Sequence, residues 1–363
     1  MLNVFVDRNI NLMKESLEPF ANVVLFNGRE LSNHDLIVGN ADILFTRSQT
    51  KIDESLLKNT KVKLIATATT GTDHIDDEYL NNVRIPFYDA GGCNSNSVAE
   101  FVVFSILKWA LEKRINLSEK KIGIIGFGRI GKLVARYSSL LGLAIFVNDP
   151  PLFTSNYNFP ADTSYLNLED LFAECDIITN HVPLIFSGKH PTFNLIGCEL
   201  VKLMKPDALF IHHSRGGVVD DSSLLTQKNE KKLYLSIDVW NNEPDFNVEL
   251  AYNCEIATPH ISGYSYDGKL NGTLTLLKIF ESFTGITPNF NFVLSEISKT
   301  TRKGIANFNS YGDLIDFING SRKFTEDILN FKNMDCSSTG IKSKNFDLLR
   351  KNYPLRRECL SAS

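Results

Sequence analysis

Three side chains that together could transfer a proton and hold a substrate carboxylate lie after three successive apolar strand patterns. Arg215 comes after the first pattern, Glu243 after the second and His260 after the third. A histidine with a pKa near its usual value of about 6.5 can take or give a proton at neutral pH. A neighbouring carboxylate would orient the ring and stabilise its charged form, and an arginine can hold a substrate carboxylate with its planar fork.

Each of these residues also has a structural interpretation when it is taken alone. Arg215 could pair with Asp220 or Asp221. Glu243 could be an ordinary loop carboxylate, and His260 could be a buried histidine with its hydrogen bonds satisfied. Their shared position after consecutive strands favours the catalytic interpretation, because the carboxyl ends of parallel strands meet at one edge of a sheet.

A glycine pattern upstream of these residues predicts a dinucleotide site. Gly126, Gly128 and Gly131 have the G-x-G-x-x-G spacing, between a short apolar strand pattern and a helical pattern that begins at Arg129. This spacing gives a tight turn, a close backbone approach to a pyrophosphate and a helix N-terminus aimed at it. Asp149 ends the next strand pattern, where its carboxylate would bind the ribose hydroxyls of NAD and repel the 2′-phosphate of NADP; its alternative role is a loop cap. The pattern therefore predicts NAD as the cofactor.

The elements that must position these residues alternate between strand and helix patterns, which predicts parallel sheets with helices on both faces. The predicted strands are 2–6, 23–26, 43–45, 63–66, 85–87, 122–125, 143–148, 176–180, 208–212, 234–239 and 255–257. Helical patterns cover 11–19, 32–38, 54–58, 97–114, 129–141 and 266–283, with weaker patterns at 311–318 and 324–331.

Two loops near the N-terminus could bind an anion. Thr67–Asp76 follows a predicted strand, and the small polar residues around Gly71 would expose backbone amides. Arg47 and Ser48 follow another strand and offer a guanidinium and a hydroxyl on the same edge. Plain turn chemistry is the alternative for both loops.

Composition excludes several classes of function. The chain has 363 residues, 43% of them hydrophobic, and a net charge of −4, which gives no reason to expect a nucleic-acid partner. We expect no membrane segment, because the longest apolar stretch (101–111) is short and contains Lys108. Six scattered cysteines without C-x-x-C pairs indicate reduced thiols and a cytoplasmic protein. The pair His212–His213 lacks further ligands at metal-binding spacing, so we expect no metal.

Several segments together resemble the D-2-hydroxyacid dehydrogenases. The segments are Thr67–His74, Gly92–Asn94, the glycine pattern, Ser214–Asp220, Asp238–Pro244 and Thr258–Tyr264. Within this family the chain is most similar to the erythronate-4-phosphate dehydrogenases of pyridoxal-phosphate biosynthesis. That narrower resemblance rests on three features: Asp149 followed by two prolines, Gly263 and Tyr264 followed by Asp267–Lys269, and the tail Phe346–Glu358.

The resemblance implies a role for each matching residue. His260 would be the acid/base, Glu243 its partner, and Arg215 the residue that holds the carboxylate. Ser48, Thr69 and Tyr264 would contact substrate. The residues implied to contact NAD are Gly126, Gly128, Arg129, Ile130, Asp149, Val182, His213, Ser214, Arg215, Asp238 and Gly263. His212 departs from the family, whose members often have asparagine at this position.

The resemblance also implies an α/β fold with two doubly wound parallel-sheet lobes. A flavodoxin-like substrate domain would comprise 1–95 with 262–285, and a Rossmann NAD domain would comprise 96–261. A small C-terminal α+β domain, 286–363, would form a homodimer.

The implied reaction is oxidation of 4-phospho-D-erythronate, a small phosphorylated hydroxy acid. Its phosphate needs cations beyond Arg215, and we expect Arg47 and one tail arginine, from either subunit, to bind it. The tail cations are Arg350, Lys351, Arg356 and Arg357, and a solvated basic helix face is their alternative role. Two other functions stay open: another D-2-hydroxyacid dehydrogenase, acting on glycerate or 3-phosphoglycerate, and an NAD-sensing binding protein.

Overall fold

The strands of this chain lie in parallel sheets. The computed structural model describes residues 1–362, and within them the strands form a five-stranded, a seven-stranded and a two-stranded sheet. The strands are β1 (Asn3–Asp7), β2 (Asn22–Phe26), β3 (Ile43–Thr46), β4 (Leu64–Thr67), β5 (Phe87–Asp89), β6 (Lys121–Ile125), β7 (Ala144–Asn148), β8 (Thr163–Tyr165), β9 (Ile177–Asn180), β10 (Leu209–His212), β11 (Tyr234–Ile237), β12 (Ile256–Ala257), β13 (Lys303–Gly304) and β14 (Leu360–Ser361).

Helices connect most of the strands. They are α1 (Met13–Leu17), α2 (Asn33–Val38), α3 (Glu54–Leu57), α4 (Asp77–Val83), α5 (Ser95–Lys113), α6 (Arg129–Leu140), α7 (Pro150–Thr154), α8 (Leu168–Glu174), α9 (Cys198–Val201), α10 (Asp221–Lys231), α11 (Val248–Asn253), α12 (Tyr266–Thr284), α13 (Asn291–Ile297), α14 (Tyr311–Arg322), α15 (Phe324–Lys332) and α16 (Thr339–Lys351). Short 3₁₀ turns cover Leu117–Glu119 and Ile305–Asn307.

The chain divides into two compact units. The first comprises 1–94 and 265–301, and the second comprises 95–264 with the segment that begins at Arg302. Residues 286–301 therefore belong to the first unit and later residues to the second, whereas the sequence predicts one separate domain from 286 onward. The role of that domain in a dimer stays a prediction.

The order of the strands confirms the predicted α/β class. The sheet of the first unit runs β2-β1-β3-β4-β5, which is the flavodoxin-like order. The sheet of the second unit runs β8-β7-β6-β9-β10-β11-β12, in which the order reverses between β6 and β9. Ligands of doubly wound sheets bind beyond the carboxyl ends of the strands at such a reversal.

The segment from Arg302 completes the core of the second unit. Phe324 stacks on Phe101 with ring centroids 4.4 Å apart, and Phe331 lies 5.6 Å from Trp240. The fully buried Arg322 donates a 2.5 Å hydrogen bond to Glu100, which is also fully buried. The other oxygen of Glu100 accepts hydrogen bonds of 2.7 Å from the amides of residues 359 and 360. A buried charge network thus fixes the end of the described chain against helix α5.

One predicted strand is displaced in the structure. The sequence pattern predicts a strand at 85–87, whereas β5 comprises Phe87–Asp89. Pro86 has no amide proton and cannot donate to the ladder, so regular pairing begins after it. The sequence patterns did not predict several other elements, which are short or lack strong apolar periodicity: α4, α7, α8, α9, α10, α11, α13, α16, β8, β13 and β14.

Candidate active site

Glu243 and His260 form a hydrogen-bonded pair beyond adjacent strand ends in the second unit. His260 Nδ1 and Glu243 Oε2 are 2.8 Å apart, and the second oxygen, Oε1, accepts a 2.9 Å hydrogen bond from the amide of Trp240. Trp240 is buried, and its indole donates to the carbonyl of Thr258 at 2.9 Å. The carboxylate is therefore held in place from the loop after β11, and His260 Nε2 is left for a ligand.

Asp238 organises the loop that presents His260. Its carboxylate is fully buried and accepts three hydrogen bonds from the loop: one from the Thr258 hydroxyl and one from the Ile261 amide, both 2.7 Å, and one from the Ser262 amide, 2.9 Å. Both carboxylate oxygens are thereby engaged within the protein. The family resemblance implies that Asp238 contacts NAD, and the structure places its carboxylate beneath the His260 loop.

Arg215 lies on the neighbouring loop, after β10. Its side chain is half-buried and donates a 2.9 Å hydrogen bond to the carbonyl of Ser214. Asn241 connects this loop to that of Glu243, because its oxygen accepts from the Gly217 amide and its nitrogen donates to the Val219 carbonyl at 3.0 Å. Asn241 lies within the motif that contains Glu243, but its role in connecting the two loops could not be predicted from the sequence.

His212, which departs from the family pattern, is buried at the end of β10. Its Nδ1 lies 2.7 Å from Asn180 Nδ2, so this nitrogen accepts the hydrogen bond and the ring is protonated on Nε2. Asn180 also accepts a hydrogen bond from the Ser214 hydroxyl. A neutral histidine here thus does what an asparagine oxygen would do, and it fixes the start of the Arg215 loop.

Three buried histidines surround this edge of the sheet. Burial lowers the pKa of His181, His212 and His213 to about 3. His213 stacks on Phe101 at 4.7 Å, and its Nε2 lies 3.1 Å from the hydroxyl of Ser236. These histidines are neutral at physiological pH and serve as structural polar groups.

The glycine turn has the shape that a dinucleotide requires. Gly126 has a positive φ of 86°, and a β-carbon at Gly131 would lie 2.1 Å from the carbonyl oxygen of Gly126. A β-carbon at Gly128 would meet nothing within 4 Å, so the backbone there faces open space at the start of α6. Val182 borders the turn, since its Cγ1 would lie 3.0 Å from a β-carbon at Gly126. Open amides at a helix N-terminus fit a pyrophosphate.

The remaining residues assigned to NAD lie near this turn. Arg129 and Ile130 begin α6, with Arg129 exposed. Asp149 follows β7, where one oxygen accepts from the Phe127 amide at 2.8 Å and the other from the Leu152 amide at 3.0 Å. Asp149 therefore caps α7, and it also fixes the glycine turn. Each carboxylate oxygen retains a second lone pair for a ribose hydroxyl.

The first unit carries the predicted substrate residues Ser48 and Thr69. Ser48 is exposed after β3, and the Thr69 hydroxyl donates to the Gly71 carbonyl at 3.2 Å. The pair Thr46–Thr67 in the sheet register places both loops at the same carboxyl edge.

Lys269 adds a cation to that edge. It lies in the first turn of α12, one turn before Gly272, whose β-carbon would lie 3.1 Å from the carbonyl of Ala68. Burial lowers the pKa of Lys269, and the positive charge of Arg47 lowers it further. No carboxylate among residues 1–362 forms a salt bridge with Arg47 or Lys269. Lys269 belongs to the segment Asp267–Lys269, and the sequence alone predicts no role for it.

Comparison with known proteins identifies the family. Residues 106–262 match the NAD-binding domain of the D-isomer specific 2-hydroxyacid dehydrogenases. The chain is 35% identical to the erythronate-4-phosphate dehydrogenase of Hahella chejuensis, with 98% of this chain and 92% of that protein covered. It is 33% identical to that of Escherichia fergusonii with the same coverage. The chain belongs to the erythronate-4-phosphate dehydrogenase family.

Solved structures of D-2-hydroxyacid dehydrogenases share the fold of this chain. An NAD⁺-bound 3-phosphoglycerate dehydrogenase from Entamoeba histolytica is similar with a TM-score of 0.64 and 27% identity, covering 79% of this chain and 97% of that one. A D-2-hydroxyisocaproate dehydrogenase has the same fold, with a TM-score of 0.64 at 18% identity over 80% of this chain and 100% of that one. The chain is an NAD-dependent dehydrogenase of the D-2-hydroxyacid class, and the second unit contains its NAD-binding domain.

Tyr264, which the resemblance to this dehydrogenase family assigns to substrate, lies just after the His260 loop and Gly263. Its amide donates to the Ile261 carbonyl at 2.8 Å. The Arg350 guanidinium carbon lies 5.9 Å from the centre of the Tyr264 ring, and Arg350 Nη1 lies 4.0 Å from Glu243 Oε2. Arg350 comes from α16, so a residue from the C-terminal segment reaches the pair that the sequence predicted to be catalytic.

The tail arginine Arg356 is engaged elsewhere in the second unit. It pairs with Asp327 at 2.5 Å and donates to the carbonyl of Arg322 at 2.6 Å, with only 10% of its side chain exposed. Arg356 therefore has an internal structural role in the subunit that carries it.

A cavity of about 490 Å³ lies behind the His260 loop of the dehydrogenase. It is lined by Pro259, Ile261, Asp327, Tyr353 and Arg356, among others, and not by Arg215, Glu243 or His260. It is therefore separate from the candidate catalytic residues. In the part of the chain that the structure describes, no helix is long and apolar enough to cross a membrane and no side-chain cluster could hold a metal ion.

Proposed function

We propose that this chain oxidises 4-phospho-D-erythronate to (R)-3-hydroxy-2-oxo-4-phosphooxybutanoate, a reaction of pyridoxal 5′-phosphate biosynthesis. The observation that carries the proposal is the 2.8 Å pair of His260 and Glu243, beyond the strand ends of an NAD-binding sheet. The relatives that match nearly the whole chain are named for this substrate.

His260 would act as the base. Its Nδ1 is engaged by Glu243, so Nε2 would take the proton of the substrate hydroxyl at C2 and return it in the reverse reaction. Glu243 would keep the ring in the correct orientation and stabilise the imidazolium that forms. Arg215 would hold the C1 carboxylate and the developing carbonyl oxygen.

NAD would bind at the glycine turn. Gly126, Gly128 and the amides of Arg129 and Ile130 would hold the pyrophosphate, and Asp149 would accept from the ribose hydroxyls. The other residues that we assign to the cofactor are Val182, His213, Ser214, Arg215, Asp238 and Gly263. When bound, NAD supplies the acceptor for the hydride that leaves C2.

The substrate phosphate would bind to the first unit. Arg47 and Lys269 are cations without a carboxylate partner among the described residues, and Ser48 and Thr69 offer hydroxyl groups at the same edge. Tyr264 would also contact the substrate. The internal pairing of Arg356 favours Lys269 over Arg356 as the second cation for the phosphate.

We also propose a cytoplasmic homodimer. The cysteines are free, which fits a reducing compartment. Leu329, Leu348 and Leu355 of the C-terminal segment are 54%, 39% and 58% exposed, which supports an apolar contact surface there. Light scattering on the purified chain would test this, and a monomer at micromolar concentration would contradict it.

A spectrophotometric assay of NAD reduction tests the proposed substrate. We expect a far higher kcat/KM for 4-phospho-D-erythronate than for 3-phospho-D-glycerate or D-lactate. Equal or higher efficiency with 3-phospho-D-glycerate would contradict the assignment. Binding of NAD without turnover of any of the three would instead favour an NAD-sensing protein.

A further inference from the structure

Arg350 lies beside the pair that we propose to be catalytic, although it belongs to the C-terminal helix α16. Its Nη1 is 4.0 Å from Glu243 Oε2, the same oxygen that is 2.8 Å from His260 Nδ1. The Glu243 oxygen thus faces two nitrogen groups, one from the catalytic loop and one from α16.

Aromatic contacts hold the Arg350 guanidinium in this place. Its central carbon is 5.9 Å from the ring centre of Tyr264 and 5.7 Å from that of Phe346, which is fully buried. Contacts between guanidinium groups and aromatic faces restrict the side chain and favour its charge. The Arg350 side chain is only 28% exposed, so its field is weakly screened by solvent.

The electrostatic surroundings favour a permanent positive charge. Burial lowers the pKa of Arg350, but Tyr264, Glu243 and Asp238 more than compensate, so the pKa is raised overall. The Nε atom is buried without a hydrogen-bond partner among the described residues.

We propose that Arg350 is a positioning residue for proton transfer, which acts on His260 through Glu243. Its charge opposes protonation of the imidazole, and its contact with the carboxylate keeps Glu243 aligned. The base would then stay neutral, and ready to accept a proton, at a lower pH than the His–Glu pair alone would allow. This inference rests on the proposed role of His260.

The charged and titratable groups near the pair come from several loops and from α16, and Arg215 lies on the neighbouring loop after β10. Glu243 contacts His260 directly, and Arg350 approaches from α16. The buried His212 lies within electrostatic range of both, and burial lowers its pKa to about 3, so it carries no charge near neutral pH. Asp238 and Tyr264 interact with Arg350. Arg350 is therefore the cation from α16 whose removal changes the field at the pair.

The pH profile of kcat/KM for hydroxyacid oxidation tests the proposal. Methionine has a similar length and no charge, so R350M should move the acid limb to higher pH by about half a unit, because one cation is lost near the carboxylate. R350K keeps the charge and should stay within about 0.2 units of wild type. Lys351→Met, which removes an exposed charge from the next position of α16, should leave the limb unchanged.

Two outcomes would overturn the proposal. The first is an acid limb of R350M that coincides with that of wild type. The second is an acid limb of R350K that shifts as far as that of R350M, because the shape of the side chain and not its charge would then matter. If R350M fails to fold, R350Q provides the same neutral comparison. Full activity of a His260→Asn variant would refute the proposed function itself, whereas an inactive His260→Asn with an unshifted R350M refutes only the role of Arg350.

Discussion

The amide of His260 donates a 2.7 Å hydrogen bond to the carbonyl of Asp238, while the carboxylate of Asp238 holds the residues on either side of the histidine. His260 has a positive φ of 56°, in the left-handed region that residues other than glycine occupy uncommonly, although histidine, asparagine and aspartate are enriched there. The loop is thus forced into an uncommon backbone conformation by a single buried acid. Such conformations persist where the surrounding contacts determine them and are frequent at active sites.

Asp238→Asn should therefore loosen the His260 loop. The NH₂ group of the new asparagine would face one of the loop groups that now donate a hydrogen bond to the carboxylate. Two facing donors cannot form a hydrogen bond, so the free energy of unfolding should fall by about 1–3 kcal/mol and kcat should decrease. Thermal unfolding and steady-state kinetics measure both effects. Thr258→Val, which removes only one of the three hydrogen bonds, should have a smaller effect. A wild-type melting temperature and kcat for Asp238→Asn would show that the loop does not depend on this carboxylate.

His260→Asn should abolish most of the activity without disturbing the fold. Asparagine tolerates the left-handed backbone at this position, so the loop conformation should survive. The loss of a general base lowers kcat by about 100- to 10,000-fold, and Glu243→Gln should show a smaller loss because the ring keeps a hydrogen-bond partner. Calorimetric titration should show unchanged NAD binding for both variants. Weaker NAD binding that accounts for the lost activity would argue against a role in proton transfer.

The buried histidines should make the second unit sensitive to acid. Each has a pKa of about 3 in the folded chain and about 6.5 when unfolded, so the unfolded state binds more protons between these values. Their contribution to stability is complete above about pH 6.5 and is lost as the pH falls toward 3. Each histidine should cost about 1.4 kcal/mol of unfolding free energy between pH 7.5 and 5.5.

His212→Asn isolates one of these contributions. The asparagine oxygen can accept the hydrogen bond from Asn180, so the variant should fold and should lose about 1.4 kcal/mol less stability than wild type over that pH range. Urea denaturation followed by tryptophan fluorescence reports on the second unit, since both tryptophans, Trp109 and Trp240, lie in it. Identical pH dependence of the two proteins would mean that His212 is not held neutral.

Arg47→Met and Lys269→Met should impair recognition of the phosphate. A hydrogen bond to a charged group is worth about 1.5–3 kcal/mol, so KM for 4-phospho-D-erythronate should rise about 10- to 100-fold. KM for unphosphorylated D-erythronate should change little. The matched control is Lys51→Met, which removes a lysine paired with Asp53 and 80% exposed in the same unit. Equal effects on both substrates would place Arg47 and Lys269 outside the phosphate site.

Much of this fold could be predicted from local sequence patterns. Alternating apolar strand and helical patterns predict both parallel sheets. The glycine turn is also predictable, because it needs a positive φ at Gly126 and a close backbone approach at Gly131. Glu243 and His260 were predictable as a pair since their strands are neighbours. A single residue, Pro86, delays the start of β5, and a pattern of hydrophobic residues does not show this effect.

Long-range contacts account for what could not be predicted. Arg350 and Glu243 are far apart in sequence, and no local sequence pattern indicates that α16 lies near Glu243. Among the tail cations, only tertiary structure distinguishes Arg356, paired with Asp327, from Arg350. For Asp149 the two predicted roles, helix cap and ribose ligand, do not exclude each other, because one carboxylate can perform both.

The contact between Glu100 and the amides of residues 359 and 360 affects the order in which the newly synthesised chain can pack. These partners leave the ribosome 259 and 260 residues after Glu100, and Arg322 leaves it 222 residues after Glu100. Until they arrive, a Glu100 carboxylate buried by helix α5 would lack its partners, and burial would favour the protonated, neutral carboxyl group. The final packing of the second unit therefore depends on residues synthesised long after Glu100, whereas the strands of its dinucleotide sheet precede those residues in the chain.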